Sequence, residues 1–169
     1  MHSLGLILIA LASITAGLTC VRWKAAHIKE LRSVCSMLEI MQREFDTRLT
    51  PLGELFSIIR DKDIGAASLF SVKILEQAES IGQTDFSLIW REGVELSFPA
   101  LTQQERSVLQ RAGEVIGKYS ADRQITELKL CHDTMRSILE AALKDYPQGR
   151  RLAIGLSLSV GAMLVIVLM

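Results

Sequence analysis

The side chains that could carry acid–base, thiol or metal chemistry are few and widely separated in this sequence. The histidines and cysteines are His2, His27, His132, Cys20, Cys35 and Cys131. A metal site or a catalytic pair needs such groups at ligand spacing, and the histidines have no carboxylate at that spacing. His132 directly follows Cys131, but adjacent residues on a helix point about 100° apart, so we do not expect a shared metal site. The favoured interpretation is a partly exposed histidine beside a core cysteine.

The sequence also lacks the motifs of nucleotide and nucleic-acid binding. Neither a phosphate-binding loop nor a dinucleotide fingerprint can be written anywhere, because the glycines are scattered. The 19 basic residues equal the 19 acidic residues, which argues against a nucleic-acid partner. Three distant cysteines suit reduced thiols in a cytosolic domain better than a disulfide framework. We therefore predict no enzyme, no cofactor, no metal and no catalytic or ligand-binding residues.

One charge cluster is a candidate contact surface around the second helix. Its acidic members are Glu44, Asp46, Glu54, Asp61 and Asp63, and its basic members are Arg43, Arg48, Arg60 and Lys62. The hypothesis is that it meets a basic surface on a cytoplasmic partner. The favoured alternative is a solvated helix surface, because charge runs usually mean only solvation.

Helices must position all of these groups, because apolar residues recur at steps of three and four through the centre of the chain. This spacing predicts one long helix over residues 28–45 and another over 121–142. Each leads into an apolar terminal run. The two long helices should therefore lie side by side and antiparallel.

Start and stop signals between the long helices predict shorter ones. Thr50 before Pro51 indicates a cap followed by a proline at the first helical position. The sequence "TQQE", Thr102 to Glu105, is typical of a capping box. Shorter helices should also cover residues 65–81 and 84–96.

Glycines follow two of the apolar-periodic runs, and no stretch of the chain alternates with the period of a strand. Gly82 and Gly117 should end helices, because glycine readily adopts the left-handed cap conformation. We therefore predict an all-α fold: an antiparallel bundle of about six helices between an N-terminal and a C-terminal transmembrane helix.

The two ends of the chain are apolar. Leu4–Val21 and Leu152–Met169 are runs of 18 residues without a charge, enough to span roughly 27 Å of a hydrocarbon core of about 30 Å. The predicted domains are a transmembrane helix over 1–21, a helical domain over 22–151 and a second transmembrane helix over 152–169. A cleaved signal, or an exported lipid-anchored module modified at Cys20, is the alternative, but the flanking residues fit it poorly.

Basic residues beside both runs predict the orientation. They are Arg22, Lys24, Lys29, Arg32, Lys144, Arg150 and Arg151. Such residues stay in the cytoplasm. The two spans should therefore anchor the protein in the cell membrane, with the central domain in the cytoplasm and both termini outside it. Pro147 and Gly149 should kink or break the last helix before it enters the second span.

Two segments carry a resemblance to a known family. These are "LTPLGELF", Leu49 to Phe56, and "RAGEVIGKYSADRQ", Arg111 to Gln124, the latter with a glycine, Asp and Gln pattern at Gly113, Gly117, Asp122 and Gln124. Over essentially its whole length the chain resembles the stage III sporulation protein AB family. The cytoplasmic domain of that family is similar to the helical-bundle domain of the inner-membrane platform protein in type II secretion and type IV pilus machines.

The resemblance implies a place and partners. The protein would lie in the mother-cell membrane facing the forespore, bind the lipid bilayer and other stage III sporulation membrane proteins, and contact a secretion-type cytoplasmic ATPase. The expected function is that of a non-enzymatic platform or scaffold subunit of a channel-like or secretion-like complex. The alternative is a membrane-anchored regulatory adaptor that binds a cytoplasmic signalling protein. Homo-oligomerisation is left open.

Overall fold

A computed structural model describes residues 2–47, 50–77, 85–116 and 121–168 of the chain. Six helices lie in these ranges: α1 (His2–Thr47), α2 (Leu52–Asp61), α3 (Ala66–Glu76), α4 (Phe86–Ser97), α5 (Gln103–Val115) and α6 (Ala121–Leu168). None of these ranges contains a strand. The prediction of an all-α fold with about six helices is confirmed.

The chain divides into two compact units. The terminal unit combines Met1–Ile28 with Glu140–Met169, and the helical domain is Lys29–Leu139. Over the residues that the structure describes, no helix has the length and apolar character that a membrane crossing requires. Most side chains of the two predicted spans, 1–21 and 152–169, lie outside the described residues.

An aromatic cluster forms the centre of the helical domain. Phe70 of α3 meets Trp90 of α4 edge-on, with ring centroids 5.0 Å apart, and Phe56 of α2 contacts both rings. The Trp90 side chain is fully buried, and its indole N–H donates to the Leu109 carbonyl of α5 over 2.8 Å. This ring therefore connects α4 to its neighbours on both sides through packing and one directional bond.

Two glycines make this packing possible. A Cβ on Gly93 would lie 2.8 Å from a ring carbon of Phe70, and a Cβ on Gly113 would lie 2.2 Å from ring carbons of Trp90. Both distances are far below carbon–carbon contact, which is about 3.5–4.0 Å. Helices α4 and α5 can approach these rings only because both positions lack a side chain.

The long helices contribute the other half of the core. Leu31, Val34, Leu38 and Met41 of α1 are completely buried, as the periodic pattern predicts. On α6 the predicted Leu128, Cys131 and Met135 are also buried. The Gln42 amide of α1 donates to the Leu128 carbonyl over 3.0 Å, so the two helices are in contact within the helical domain.

A buried serine of α1 shapes the turn between α2 and α3. Ser33 donates its hydroxyl hydrogen to the Ile64 carbonyl and accepts from the Ala67 N–H at 2.7 Å. Ser68 accepts from the Ile64 N–H at 2.8 Å, and Gly65 has a φ of +71°. The polar backbone of this turn is thus satisfied by side chains, which allows it to lie against the core.

The capping box at the start of α5 is confirmed, whereas the predicted Thr50 cap is wrong. The Thr102 hydroxyl accepts from the Glu105 N–H at 3.3 Å, and the Glu105 carboxylate accepts from the Thr102 N–H at 2.7 Å. At α2 the N-cap position belongs to Pro51, without a side-chain cap bond. The Thr50 hydroxyl instead donates to Glu44 over 3.0 Å.

Of the kink or break predicted near the end of the last helix, the break is wrong, and the kink stays a prediction. Helix α6 includes Pro147 and continues to Leu168. A proline inside a helix removes one backbone hydrogen bond, and here the helix continues past it. The two glycines that we expected to end helices, Gly82 and Gly117, lie outside the described residues.

Candidate interaction surfaces

Four described members of the charge cluster around α2 make local contacts, and Arg48 lies outside the described residues. Glu44 accepts the Thr50 hydrogen bond, and Asp61 pairs with its neighbour Arg60 at 2.8 Å. Asp46 and Glu54 are exposed. Exposed pairs of this kind contribute little binding or folding energy, so the favoured interpretation of a solvated surface fits these contacts.

Cys131 and His132 of α6 lie in surroundings that suit packing rather than metal binding or catalysis. Cys131 is buried, and its thiol donates to the Val108 carbonyl at 3.8 Å. Burial, together with the smaller effects of the nearby Cys35 and Glu127, raises the Cys131 pKa to about 12. His132 is partly exposed, with Nδ1 3.5 Å from a carboxylate oxygen of Asp133. Across the described ranges no group of three metal-ligating side chains occurs.

Cys131 should be almost unreactive in the folded protein. At pH 8 a thiol with a pKa of about 12 is roughly one part in 10⁴ thiolate, and the thiolate is the nucleophile. We expect maleimide to label Cys131 at least tenfold more slowly than Cys35, which is only half-buried, when each is the sole remaining cysteine. Urea should abolish the difference. Equal native rates would contradict the burial of Cys131.

An apolar groove lies between α5 and α6 of the helical domain. It has a cavity volume of about 160 Å³ and is lined by Val108, Arg111, Ala112, Glu127, Leu130, Cys131 and Thr134. The Leu130 side chain is 58% exposed at its edge. Arg111 and Glu127 add one charge of each sign. A concave apolar surface with a polar border is typical of a protein contact site.

A second, polar cleft separates α1 from α6. Its volume is about 420 Å³, and its lining is Glu39, Gln42, Arg43, Asp46, Ile125 and Lys129. Arg43 pairs with Glu39 at 3.2 Å within α1. Because two of its four charged side chains, Arg43 and Glu39, already pair with each other, we assign this cleft no ligand.

The terminal unit contains a small pocket between its two helical segments. The pocket has a volume of about 120 Å³ and is lined by Lys24, His27, Ile28, Ala142, Asp145 and Tyr146. Trp23 is 59% exposed and stacks on His27, with ring centroids 6.4 Å apart. Polar and charged groups from both segments therefore converge on one small volume.

None of these cavities could be located from the sequence. The periodic pattern assigns Leu128 and Cys131 to the core. Leu130 lies between them in the sequence but on a different face of the helix, so the pattern does not include it. Its solvent exposure depends on where α5 stops covering α6, a matter of tertiary packing. The signal that could have indicated an exposed apolar surface was a leucine outside the apolar stripe of an otherwise regular amphipathic helix.

The comparison with protein families gives one match. The model of the family described as "Stage III sporulation protein AB (spore_III_AB)" matches residues 2–169. No curated protein and no solved structure matches the chain. Because the family match spans all but the first residue, this protein belongs to the stage III sporulation protein AB family and has a role related to sporulation.

Proposed function

We propose that this protein is a non-enzymatic platform subunit of a membrane complex in sporulation. Its helical domain contacts a cytoplasmic ATPase, and two membrane helices anchor it beside other stage III sporulation membrane proteins. The observation that carries the proposal is the apolar groove between α5 and α6, because Leu130 is the one of several exposed leucines in the described part of the domain that lines this groove. Truncating side chains that fill such pockets removes most of the binding energy of many interfaces.

The proposed mechanism is mechanical coupling. The ATPase binds the helical domain, and its nucleotide-driven movements displace that domain against the membrane helices of partner proteins. A platform of this kind supplies binding surfaces and an anchor, and the chemistry belongs to the ATPase. Two uncharged runs and their basic flanks support the anchoring part of the proposal.

The anchoring part can be tested by protease protection. A tag between α3 and α4, within residues 78–84, should be protected in intact mother-cell protoplasts and cut once the membrane is opened. The tag is protected because the proposed topology places the helical domain in the cytoplasm. Cleavage in intact protoplasts would place the domain outside and favour an exported scaffold.

The contact part can be tested with Leu130→Asp. We expect this change to reduce the recovered ATPase at least tenfold when the tagged protein is purified from sporulating cells, because a carboxylate cannot remain desolvated in an apolar groove. The matched control is Leu69→Asp on α3, since Leu69 is 65% exposed and lines none of the described pockets. Surface changes of this kind usually alter stability by no more than about 0.5 kcal/mol.

The two arms of this experiment separate the possible partners. If Leu69→Asp lowers ATPase recovery as much as Leu130→Asp, the groove is not the contact site. If a kinase, protease or transcription factor copurifies in place of an ATPase, the protein is a regulatory adaptor and the platform proposal fails.

A further inference from the structure

The pocket of the terminal unit contains one cationic and one anionic side chain. Lys24 and Asp145 both line it, and neither has a hydrogen-bond or ion-pair partner among the described residues. We propose that this pocket binds the head group of an anionic phospholipid, with the Lys24 ammonium on the phosphodiester and the Asp145 carboxylate accepting from head-group hydroxyls. The inference rests on the proposed membrane anchoring.

The Lys24 ammonium lies against the opposite helical segment. Its Nζ lies 2.8 Å from the place where a Cβ on Gly149 would be, so the ammonium rests against bare backbone of α6. A side chain at position 149 would have to displace it. The pocket volume of about 120 Å³ exceeds the 10–15 Å³ needed for one water, and the pocket therefore has room for part of a polar head group.

The charge pattern decides which head group fits. A bare phosphate would meet Lys24 favourably and Asp145 unfavourably, whereas phosphatidylglycerol offers a phosphodiester and hydroxyl donors together. Phosphatidylcholine carries the same phosphodiester, but its quaternary ammonium has no hydrogen to donate. It can form only an exposed ion pair with Asp145, which contributes less than a hydrogen bond from a hydroxyl to a carboxylate. The pocket should therefore prefer phosphatidylglycerol to phosphatidylcholine.

The surroundings favour a lipid over a free phosphate. Trp23 is largely exposed beside the pocket, and Tyr146 lines it. Amphipathic aromatic rings of this kind settle at the level of the head groups. Lys24 also belongs to the basic flank of the first uncharged run, and basic residues at the cytoplasmic end of a membrane span attract anionic head groups.

The test uses the full-length protein released from detergent micelles into a native mass spectrometer, with each lipid titrated separately. Wild type should retain phosphatidylglycerol at concentrations at least tenfold lower than phosphatidylcholine. Lys24→Gln should weaken retention of phosphatidylglycerol at least tenfold. Lys29→Gln is the matched control, since Lys29 is an exposed lysine that does not line the pocket. General attraction to an anionic surface changes affinity by about fivefold per lysine, so it would affect both variants alike.

Two further variants check the geometry. Gly149→Leu should weaken the binding of phosphatidylglycerol at least tenfold, because the new side chain displaces the Lys24 ammonium. This variant leaves every charge in place. Asp145→Ala should lower the preference for phosphatidylglycerol over phosphatidylcholine. Unchanged far-UV helicity of each variant separates a lost site from a lost fold.

Three results would overturn the proposal. Equal losses for Lys24→Gln and Lys29→Gln would mean general attraction only. Equal retention of the two lipids would remove the head-group preference. Displacement of the lipid by inorganic phosphate at similar concentrations would make this a free-phosphate site. None of these results bears on ATPase recovery or protease protection, so this site and the proposed function can fail separately.

Discussion

Replacing Gly113 by alanine should lower the free energy of unfolding of the helical domain by about 3 kcal/mol, although alanine is the better helix former. The added Cβ would lie 2.2 Å from two ring carbons of Trp90. These carbons are near the attachment point of a fully buried ring, so the ring must move as a whole. Overpacking of a filled core costs about 1–3 kcal/mol. Movement of the ring would also stretch the hydrogen bond from the Trp90 indole N–H to the Leu109 carbonyl, which contributes about 1 kcal/mol.

Thermal unfolding of the full chain in mild detergent, followed by circular dichroism, would measure this effect. A loss of about 3 kcal/mol should lower the Tm by more than about 10 °C in a domain of this size. The matched control is Gly53→Ala in α2, where an added Cβ meets nothing within 4 Å. That variant should have the wild-type Tm or a higher one, because alanine gains up to about 1 kcal/mol over glycine in a helix.

Equal behaviour of the two alanine variants would contradict the close approach of α5 to Trp90. It would mean that the space beside Gly113 is larger than the packing indicates. The measurement therefore tests the centre of the core directly, and it does so without removing any existing side-chain atom.

The elements of this fold could largely be predicted from the sequence, because local rules specify them. The capping box depends only on Thr102 and Glu105, three residues apart, and it forms as expected. The apolar spacing of α1 correctly assigned Leu31, Val34 and Leu38 to the core. Local rules failed at Thr50, because its hydroxyl donates a hydrogen bond to Glu44 of α1 and does not cap α2.

The packing between elements could not be predicted in the same way. Gly113 was recognised in the sequence only as part of a glycine pattern, and its role depends on a ring that lies 23 positions away in the chain. The same limit applied to the candidate sites. The sequence shows that positions 130 and 24 are a leucine and a lysine, but a groove or pocket forms only where two packed helices leave a gap. The spacing of apolar residues within one helix does not predict where such a gap lies.

A carboxylate of α1 holds the connection between α4 and α5. One oxygen of Glu30 accepts from the backbone N–H groups of Ala100 and Leu101, at 2.9 and 3.1 Å. Both of those residues are buried, so water cannot fully replace the carboxylate. In the sequence Glu30 is only one acidic residue within a basic flank, and nothing indicates a partner 70 positions away.

Replacing Glu30 by alanine should therefore lower the free energy of unfolding by about 2–4 kcal/mol. Each hydrogen bond to a charged group contributes about 1.5–3 kcal/mol, and partial rehydration of the loop recovers some of the loss. Glu30→Gln keeps an oxygen acceptor without the charge, so it should restore part of the stability. The matched control is Glu39→Ala on the same helix, which removes only the exposed pair with Arg43 and should cost about 0.5 kcal/mol.

The consequence for binding follows from the position of this loop. It leads into α5 through Thr102, and α5 forms one wall of the groove whose edge carries Leu130. Glu30→Ala should thus lower both the Tm and the recovery of the ATPase, whereas Leu130→Asp should lower recovery alone. If Glu30→Ala destabilised the domain but left recovery unchanged at a temperature where the variant is folded, the α4–α5 loop would not determine the shape of the groove, and the contact would depend on α6 without α5.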